Sequence, residues 1–298
     1  MIRLKLGTQK SKKASLALSG GGARGIAHIG VIEELLQRGY EITAITGTSM
    51  GALVGGVFAS GKLEEFKSWL FTLDKMKVLA LIDFTFTSQG LIKGDRLFGH
   101  MKEFISDSDI ENLPIDFAAV AVDVLNKQEV LFDHGNTFKA VRASVAIPTV
   151  FTPVRFDNRI LVDGGVLNNI PVNHARRRAG ELLVAINVNA DVPVVYPSGI
   201  NAAQQKQQSV YRKKIKEFKN HLKRNNPAGK QVNLGYFDLI NRTINLMTEN
   251  IAKNNLEKYP PDLLIEISVD TCGIFDFYKA DELVEVGRYS AVRALGLT

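Results

Sequence analysis

The amino-acid sequence predicts an α/β protein with a mainly parallel central sheet flanked by helices. A short apolar run at 14–19 is followed by glycines and then by a helical pattern of isoleucines and leucines that ends at Gly39. A second β-branched run, 42–46, follows at once, and strand–helix–strand units of this kind hold their strands parallel and adjacent. Further strands are predicted at 117–124, 129–132, 159–163, 182–188 and 262–269. Helices are predicted between them at 52–59, 95–106, 137–145, 171–178, 236–258 and 280–295.

Length and composition fit one folded domain. The chain has 298 residues, of which 45% are hydrophobic and 23% charged, and this is enough for a large α/β core. We predict a single domain, 1–298, interrupted by a polar insertion at 190–235. One cysteine, Cys272, makes an internal disulfide impossible and supplies no thiolate cluster, so we expect no metal site and a cytoplasmic location. The apolar runs are too short for a signal segment or a membrane-spanning helix.

A G-x-S-x-G pattern, Gly47-Thr48-Ser49-Met50-Gly51, lies where the second strand ends and a helix of small residues begins. A strand that becomes a helix within two residues leaves no space beside the turn, so Gly47 and Gly51 provide room and Ser49 is held at the apex. The first amides of the new helix favour negative charge developing near that serine. The pattern alone is common by chance, but its position between strand and helix predicts a nucleophile elbow.

The loop after the first strand, Gly20-Gly21-Gly22-Ala23-Arg24-Gly25, has three interpretations. It matches the dinucleotide fingerprint G-x-G-x-x-G, which also expects an acidic residue after the second strand, where this chain has the elbow. A P-loop requires a lysine where Ile26 stands. The third interpretation, which we favour, is an oxyanion hole whose amides face an oxygen held over Ser49. Arg24 then supports that oxygen, attracts a phosphate, or fixes the loop through a salt bridge.

A serine hydroxyl needs a base to become a good nucleophile. In the order found in α/β-hydrolases, His174 and His221 are available after Asp163, but His174 falls in the predicted helix 171–178 and His221 in the polar insertion. The alternative is a two-residue site in which Asp163 accepts the proton, with its pKa raised in a partly dry pocket. Asp163 ends a predicted strand and precedes two glycines, which is also the composition of an ordinary Asp-Gly turn.

Four motifs in order resemble those of the patatin-like phospholipases, here the compact bacterial kind. They are residues 19–25, residues 47–51, the run Ala143-Ser144-Val145-Ala146-Ile147-Pro148 with Phe151, Pro153 and Val154, and Asp163-Gly164-Gly165. The resemblance covers residues 14–190 and implies a patatin-like fold. It also implies a Ser–Asp dyad of Ser49 and Asp163, an oxyanion hole at Gly20 to Gly22, and ester hydrolysis with no metal or cofactor.

We therefore predict a serine acyl hydrolase that cleaves carboxylic esters of phospholipids or related lipids. Two alternatives stay open at this point. One is a lipid-binding or regulatory protein on the same scaffold with little turnover, and the other is a nucleotide-binding protein that uses the glycine loop.

The insertion is strongly basic between Ala203 and Lys230. It holds nine Lys or Arg against one acid, a local charge of +8, so that the rest of the chain carries +6 minus +8, or −2. Tyr211, Ile215, Phe218 and Leu222 recur at helical spacing and predict a narrow apolar stripe along a basic helix. Such a helix suits peripheral contact with an anionic inner membrane surface, or it packs the stripe on its own domain. Nucleic-acid binding is not expected, because base-stacking aromatic residues are scarce here.

Overall fold

A computed structural model describes residues 12–81, 84–87, 90–92, 94–105, 107–148, 150–195 and 236–296. The chain divides into two compact units. The first consists of Met1–Val195 together with Met247–Thr298, and the second is Tyr196–Leu246. Of the second unit, the described part is 236–246, which forms the beginning of a helix. Residues 196–235 of the predicted insertion lie outside the described residues. The basic helix within the insertion therefore stays a prediction, and so does the single-domain organisation.

The described residues form ten strands and eight α-helices. The strands are β1 (Lys12–Leu18), β2 (Tyr40–Thr48), β3 (Phe84–Thr87), β4 (Gly90–Ile92), β5 (Asp116–Asp123), β6 (Gln128–Phe132), β7 (Val154–Phe156), β8 (Arg159–Asp163), β9 (Leu182–Ala190) and β10 (Leu263–Ser268). The helices are α1 (Ala27–Gln37), α2 (Met50–Ala59), α3 (Leu63–Phe71), α4 (Lys75–Leu81), α5 (Asp95–Met101), α6 (Thr137–Ser144), α7 (Tyr236–Lys258) and α8 (Ala280–Ala294). Within the ranges that the structure describes, no helix has both the length and the apolar content needed to cross a membrane.

Eight of the strands form one sheet, in the order β10-β9-β1-β2-β5-β8-β7, with β6 also paired to β5. The pairs from β10 to β5 are parallel, whereas β5 pairs antiparallel with β6 and β8, and β7 pairs antiparallel with β8. The predicted α/β class with a mainly parallel, helix-flanked sheet is therefore confirmed, and the sheet ends on one side in antiparallel strands. The central strands are buried along most of their length, as their uninterrupted apolar runs require.

The two edges of β5 explain how the ends of β2 and β8 come together. Ala119 pairs with Gly47 of β2 and with Phe132 of β6, so β2 and β6 occupy opposite edges of β5. Ala121 likewise pairs with Val130 of β6 and with Asp163 of β8, so β8 shares the edge of β2. The two strands run in opposite directions along that edge and meet head to head.

Helices α1 and α8 touch backbone to backbone at two glycines. A Cβ added at Gly30 would overlap the Val284 carbonyl oxygen, and one added at Gly287 would overlap the Ala27 carbonyl oxygen. Glycine is needed at both positions because any side chain would push the helices apart. The crossing matters for function because α1 follows the glycine loop directly, through a short 3₁₀ turn at Gly22–Ile26.

Two predicted helices differ from the structure. The helix predicted at 95–106 ends at Met101. The helix predicted at 171–178 is wrong, because only a 3₁₀ turn at Val172–His174 forms there. Consecutive arginines after it reach acids from three separate parts of the sheet: Arg176 pairs with Asp133, Arg177 with Asp262 and Arg178 with Asp116. An irregular backbone allows these three ion pairs, whereas a helix would fix successive side chains at about 100° intervals.

Candidate active site

Ser49 lies at a sharp turn between β2 and α2. Its backbone has φ 54° and ψ −123°, a conformation that is unfavourable for a residue with a Cβ and that marks functional turns. The turn is tight enough that a Cβ at Gly47 would lie 2.5 Å from the Ala52 amide nitrogen, while one at Gly51 would overlap the Leu18 carbonyl. The local geometry is therefore that of the predicted elbow.

Asp163 lies opposite the elbow on the same edge of β5. Thr48 pairs with Val120, and Asp163 pairs with Ala121, the next residue of β5, so Asp163 lies one level beyond Thr48, the residue that precedes Ser49. The Asp163 amide donates to the Ala146 carbonyl (2.9 Å), and Oδ1 accepts from the Gly165 amide (2.7 Å). Because β8 runs opposite to β2, the end of one strand faces the end of the other.

The electrostatics of Asp163 are dominated by burial. Burial raises the pKa of its carboxyl from 3.8 to about 6, against the opposing effects of the Ser49 hydroxyl and the Gly165 amide. Its Oδ2 is buried and has no hydrogen-bond partner among the described residues. Catalytic hydrogen bonds are often long or poorly aligned in unliganded sites and tighten when substrate binds.

The glycine loop packs directly against Ser49. A Cβ at Gly20 would lie 3.0 Å from the Ser49 Cβ. The Gly20 amide donates to the Asn169 carbonyl (3.0 Å), and its carbonyl accepts from the Asn189 side chain (2.6 Å). Ala23 donates its amide to Ile274 (2.9 Å). Between these two anchored amides, those of Gly21 and Gly22 have no acceptor among the described residues.

Arg24 fixes the glycine loop. Its Nε (3.2 Å) and Nη2 (2.7 Å) donate to Asn189 Oδ1, and its Nη1 donates to the Cys272 carbonyl (3.2 Å). The anchoring role is thus supplied by an amide and a carbonyl instead of the salt bridge considered above. Gly25 lies inside the 3₁₀ turn, where a Cβ would overlap Met50.

Within the loop, Gly21 and Gly22 are consequently the residues with amides available to a ligand. The predicted set for the oxyanion hole, Gly20, Gly21, Gly22, Arg24 and Gly25, stays a prediction. In the structure the Gly20 amide and the Arg24 guanidinium donate to groups that hold the loop.

No histidine within the described ranges hydrogen-bonds Ser49 or Asp163. His174 donates Nε2 to Glu129 (2.6 Å) and thereby lowers the pKa of that carboxyl. His28 is buried beside the glycine loop, where Nε2 donates to the Ser19 carbonyl (2.8 Å) and burial lowers its pKa to about 4. His221 lies outside the described residues. The described residues also contain no group of three or more His, Cys, Asp or Glu that could hold a metal ion.

The sequence did not identify three residues that shape the site: Ser144, Asn169 and Asn189. Ser144 was visible only as part of a motif, with no role attached. Asn189 lies near the end of β9, which pairs with β1, so it reaches the loop that follows β1. A polar residue at the carboxyl end of a buried strand is the signal that could have found it.

Comparison with known proteins finds a matching family and related sequences. The model of the patatin-like phospholipase family matches residues 16–176. A Mycobacterium tuberculosis protein named as an uncharacterized NTE family protein is 32% identical, over 98% of this chain and 94% of that protein. The lysophospholipase NTE1 of Saccharomyces cerevisiae is 26% identical, over 91% of this chain and 16% of its own length. The crystal structure of VipD from Legionella pneumophila aligns with a TM-score of 0.49 at 16% identity, covering 97% of this chain and 67% of VipD.

The class of protein is therefore that of the lipid hydrolases built on a mainly parallel sheet flanked by helices. The chain belongs to the patatin-like phospholipase family. The resemblance that the four motifs indicated is confirmed.

Proposed function

We propose that this protein is a serine acyl hydrolase that cleaves carboxylic esters of phospholipids or lysophospholipids, with Ser49 as nucleophile and Asp163 as base. The observation that carries the proposal is the head-to-head meeting of β2 and β8, which brings a strained serine and a buried carboxyl with a raised pKa to one point. Family membership and the lysophospholipase relative support a lipid ester as substrate.

The reaction starts with attack of Ser49 Oγ on the ester carbonyl carbon while Asp163 takes the hydroxyl proton. The carbonyl oxygen becomes an oxyanion, and the amides of Gly21 and Gly22 donate to it. Collapse of this intermediate breaks the bond to the alcohol oxygen, which receives the proton from Asp163. The acyl group now forms an ester with Ser49.

Deacylation repeats these steps with water. Asp163 takes a proton from water, the resulting hydroxide attacks the acyl carbon, and the same amides hold the second oxyanion. The bond between the acyl carbon and Ser49 Oγ then breaks, Oγ takes the proton from Asp163, and the fatty acid leaves. A carboxyl with a pKa of about 6 suits both halves, because it is mostly ionised at neutral pH yet basic enough to accept the proton.

We place the enzyme in the cytoplasm, where the basic segment 203–230 makes peripheral contact with anionic lipid at the inner membrane surface. The charge of +8 in that segment supports this contact, since each basic residue near an anionic surface adds about 1 kcal/mol.

The test combines labelling with turnover. A fluorophosphonate probe should label the wild type and Ser60→Ala, a control at a serine outside the site, but not Ser49→Ala. A panel of phospholipids and lysophospholipids in vesicles should then release fatty acid only with the variants that the probe labels. Labelling without turnover on any lipid would favour a lipid-binding protein on this scaffold, and equal turnover by Ser49→Ala would reject the proposed nucleophile.

A further inference from the structure

The turn at the end of α6 contacts the backbones of both Ser49 and Asp163. The Ser144 hydroxyl accepts from the Ser49 amide (2.9 Å), and the Ala146 carbonyl accepts from the Asp163 amide (2.9 Å). We call residues 144–146 the α6 bracket. The bracket is part of a hydrogen-bonded turn, in which Val145 donates to Val141 and Ala146 to Ala143.

Ser144 also joins the bracket to the sheet. Its side chain is fully buried, and while Oγ accepts from Ser49, its own proton is donated to the Val120 carbonyl (2.6 Å). Val120 is the residue of β5 that pairs with Thr48, the last residue of β2. The hydroxyl therefore links β2 to β5 at the point where the chain leaves the sheet to form the elbow.

The head-to-head arrangement gives this link its importance. β2 and β8 pair with the same edge of β5 but not with each other, so no ladder of hydrogen bonds fixes the gap between Ser49 and Asp163. The elbow is also strained at φ 54° and persists only if its surroundings hold it. Of the hydrogen bonds among the described residues, those of the α6 bracket are the ones that tie both backbones to a single turn.

We propose that the α6 bracket sets the separation of Ser49 and Asp163, and that Ser144 is a positioning residue for the reaction. The inference rests on the proposed function, because it assumes that these two residues react together. Ser144 does not touch substrate in this scheme. It acts by holding the Ser49 amide, which also means that this amide is unavailable as an oxyanion donor.

The experiment compares Ser144→Ala and Ser144→Cys with the wild type on a soluble short-chain ester. Alanine removes the link, and cysteine keeps a weak donor and acceptor of similar size. We expect kcat to fall about 10-fold to 1,000-fold in Ser144→Ala, with KM nearly unchanged and a smaller loss in Ser144→Cys. We also expect the acid limb of kcat/KM to move to higher pH, because Ser49 withdraws from Asp163 and no longer lowers its pKa.

The matched control is Ser15→Ala. Ser15 is another fully buried serine, in β1, whose hydroxyl has no partner among the described residues, so its removal should leave kcat and the acid limb unchanged. Circular dichroism and thermal melting report the folded fraction of each variant. If Ser144→Ala fails to fold, Ser144→Cys decides the question.

Two results would overturn the inference. One is wild-type kcat in folded Ser144→Ala, or in Ser144→Cys if the alanine variant does not fold, and the other is a loss of activity that matches the folded fraction while the acid limb stays in place. Failure of the proposed function would look different, because the wild type and Ser49→Ala would then hydrolyse the ester equally.

Discussion

At the scale of single residues, Asp163 combines two properties that usually exclude each other. It is buried as deeply as a core side chain, yet its proposed role requires it to ionise. Among the described residues, no charged side chain offsets the cost of that ionisation; the two groups that favour it are the hydroxyl of Ser49 and the amide of Gly165. Stability and activity therefore make opposite demands on this one carboxyl.

The first prediction is that Ser49 and Asp163 act as a unit. Ser49→Ala, Asp163→Asn and the double variant should each lose kcat to a similar residual, on the order of 10⁴-fold or more, because removing either partner disables the other. His174→Ala is the control, since His174 pairs with Glu129. Near-normal hydrolysis by Asp163→Asn, or a comparable collapse in His174→Ala, would assign the base to another residue.

The second prediction concerns pH. Because burial raises the pKa of folded Asp163 above its ordinary value, the unfolded chain releases this proton first, and stability falls as pH rises from about 3.8 to about 6. Above that window the loss of stability is complete, and a pKa shift of this size corresponds to about 3 kcal/mol of stability. Asp163→Asn should therefore be more stable than the wild type at pH 8 by up to this amount, with the gain vanishing near pH 3.5.

Urea unfolding of both proteins at the two pH values measures this difference. The matching kinetic expectation is that kcat/KM of the wild type falls as pH drops below about 6, where Asp163 becomes protonated. Equal stability of the two proteins at pH 8 would mean that the carboxyl is not held at a raised pKa.

At the scale of elements, the crossing of α1 and α8 leaves no room for a side chain. Gly30→Ala or Gly287→Ala should lower the free energy of unfolding by about 3 kcal/mol or more, because helix backbones must separate to admit a methyl group. Gly99→Ala is the matched control, in α5 with no atom near the new Cβ, and it should raise stability by up to about 1 kcal/mol through helix propensity. Urea unfolding midpoints give the comparison, and similar effects at all three sites would contradict the packing argument.

The glycine loop makes a kinetic prediction at the same scale. Gly21→Ala forces a Cβ onto the Val188 side chain and to within 3.2 Å of Asn189 Oδ1, so the loop must shift. We expect kcat to fall about 100-fold, comparable to the loss of one oxyanion donor, with the fold retained. Assays of this variant beside Gly99→Ala separate loss of the donor from a general effect of adding a methyl. Wild-type turnover in folded Gly21→Ala would assign the loop another role.

At the scale of the whole molecule, the sequence is informative where structure is decided locally. The elbow strand, the small-residue helix and the apolar runs are each specified by neighbouring residues, and the structure has them within a few positions of the prediction. The helix predicted at 171–178 failed because Arg176, Arg177 and Arg178 obtain their partners from distant segments. Asn189 was missed for the same reason. Its contact with Gly20 arises because β9 pairs with β1, and neighbouring residues do not determine which strands pair. The roles of Ser49 and Asp163 stay predictions until they are measured.

The last prediction concerns the charge distribution over the chain. Flotation with vesicles should show binding that grows with anionic lipid content and weakens with salt, because all the positive excess lies in 203–230. Changing Lys213, Lys214, Lys216 and Lys219 to Glu should abolish binding. The control variant carries the same change at four exposed lysines elsewhere: Lys75, Lys77, Lys139 and Lys253. The two variants have equal net charge, but the control change should weaken binding much less. Binding that ignores salt and both sets of changes would exclude this contact.

The central position of β1 has a consequence for how the protein folds during its synthesis on the ribosome. β1 is the first described strand to be made, yet it pairs with β9, and the side chain of Asn189 meets Gly20 across 169 residues of chain. Contacts of such long range form late in folding. During synthesis the residues of the elbow are made long before Asn189, so a growing chain carries the proposed nucleophile while its glycine loop is still unclamped. Under the proposed function, hydrolysis therefore begins only after β9 and Asn189 have been made and have paired with β1 and Gly20.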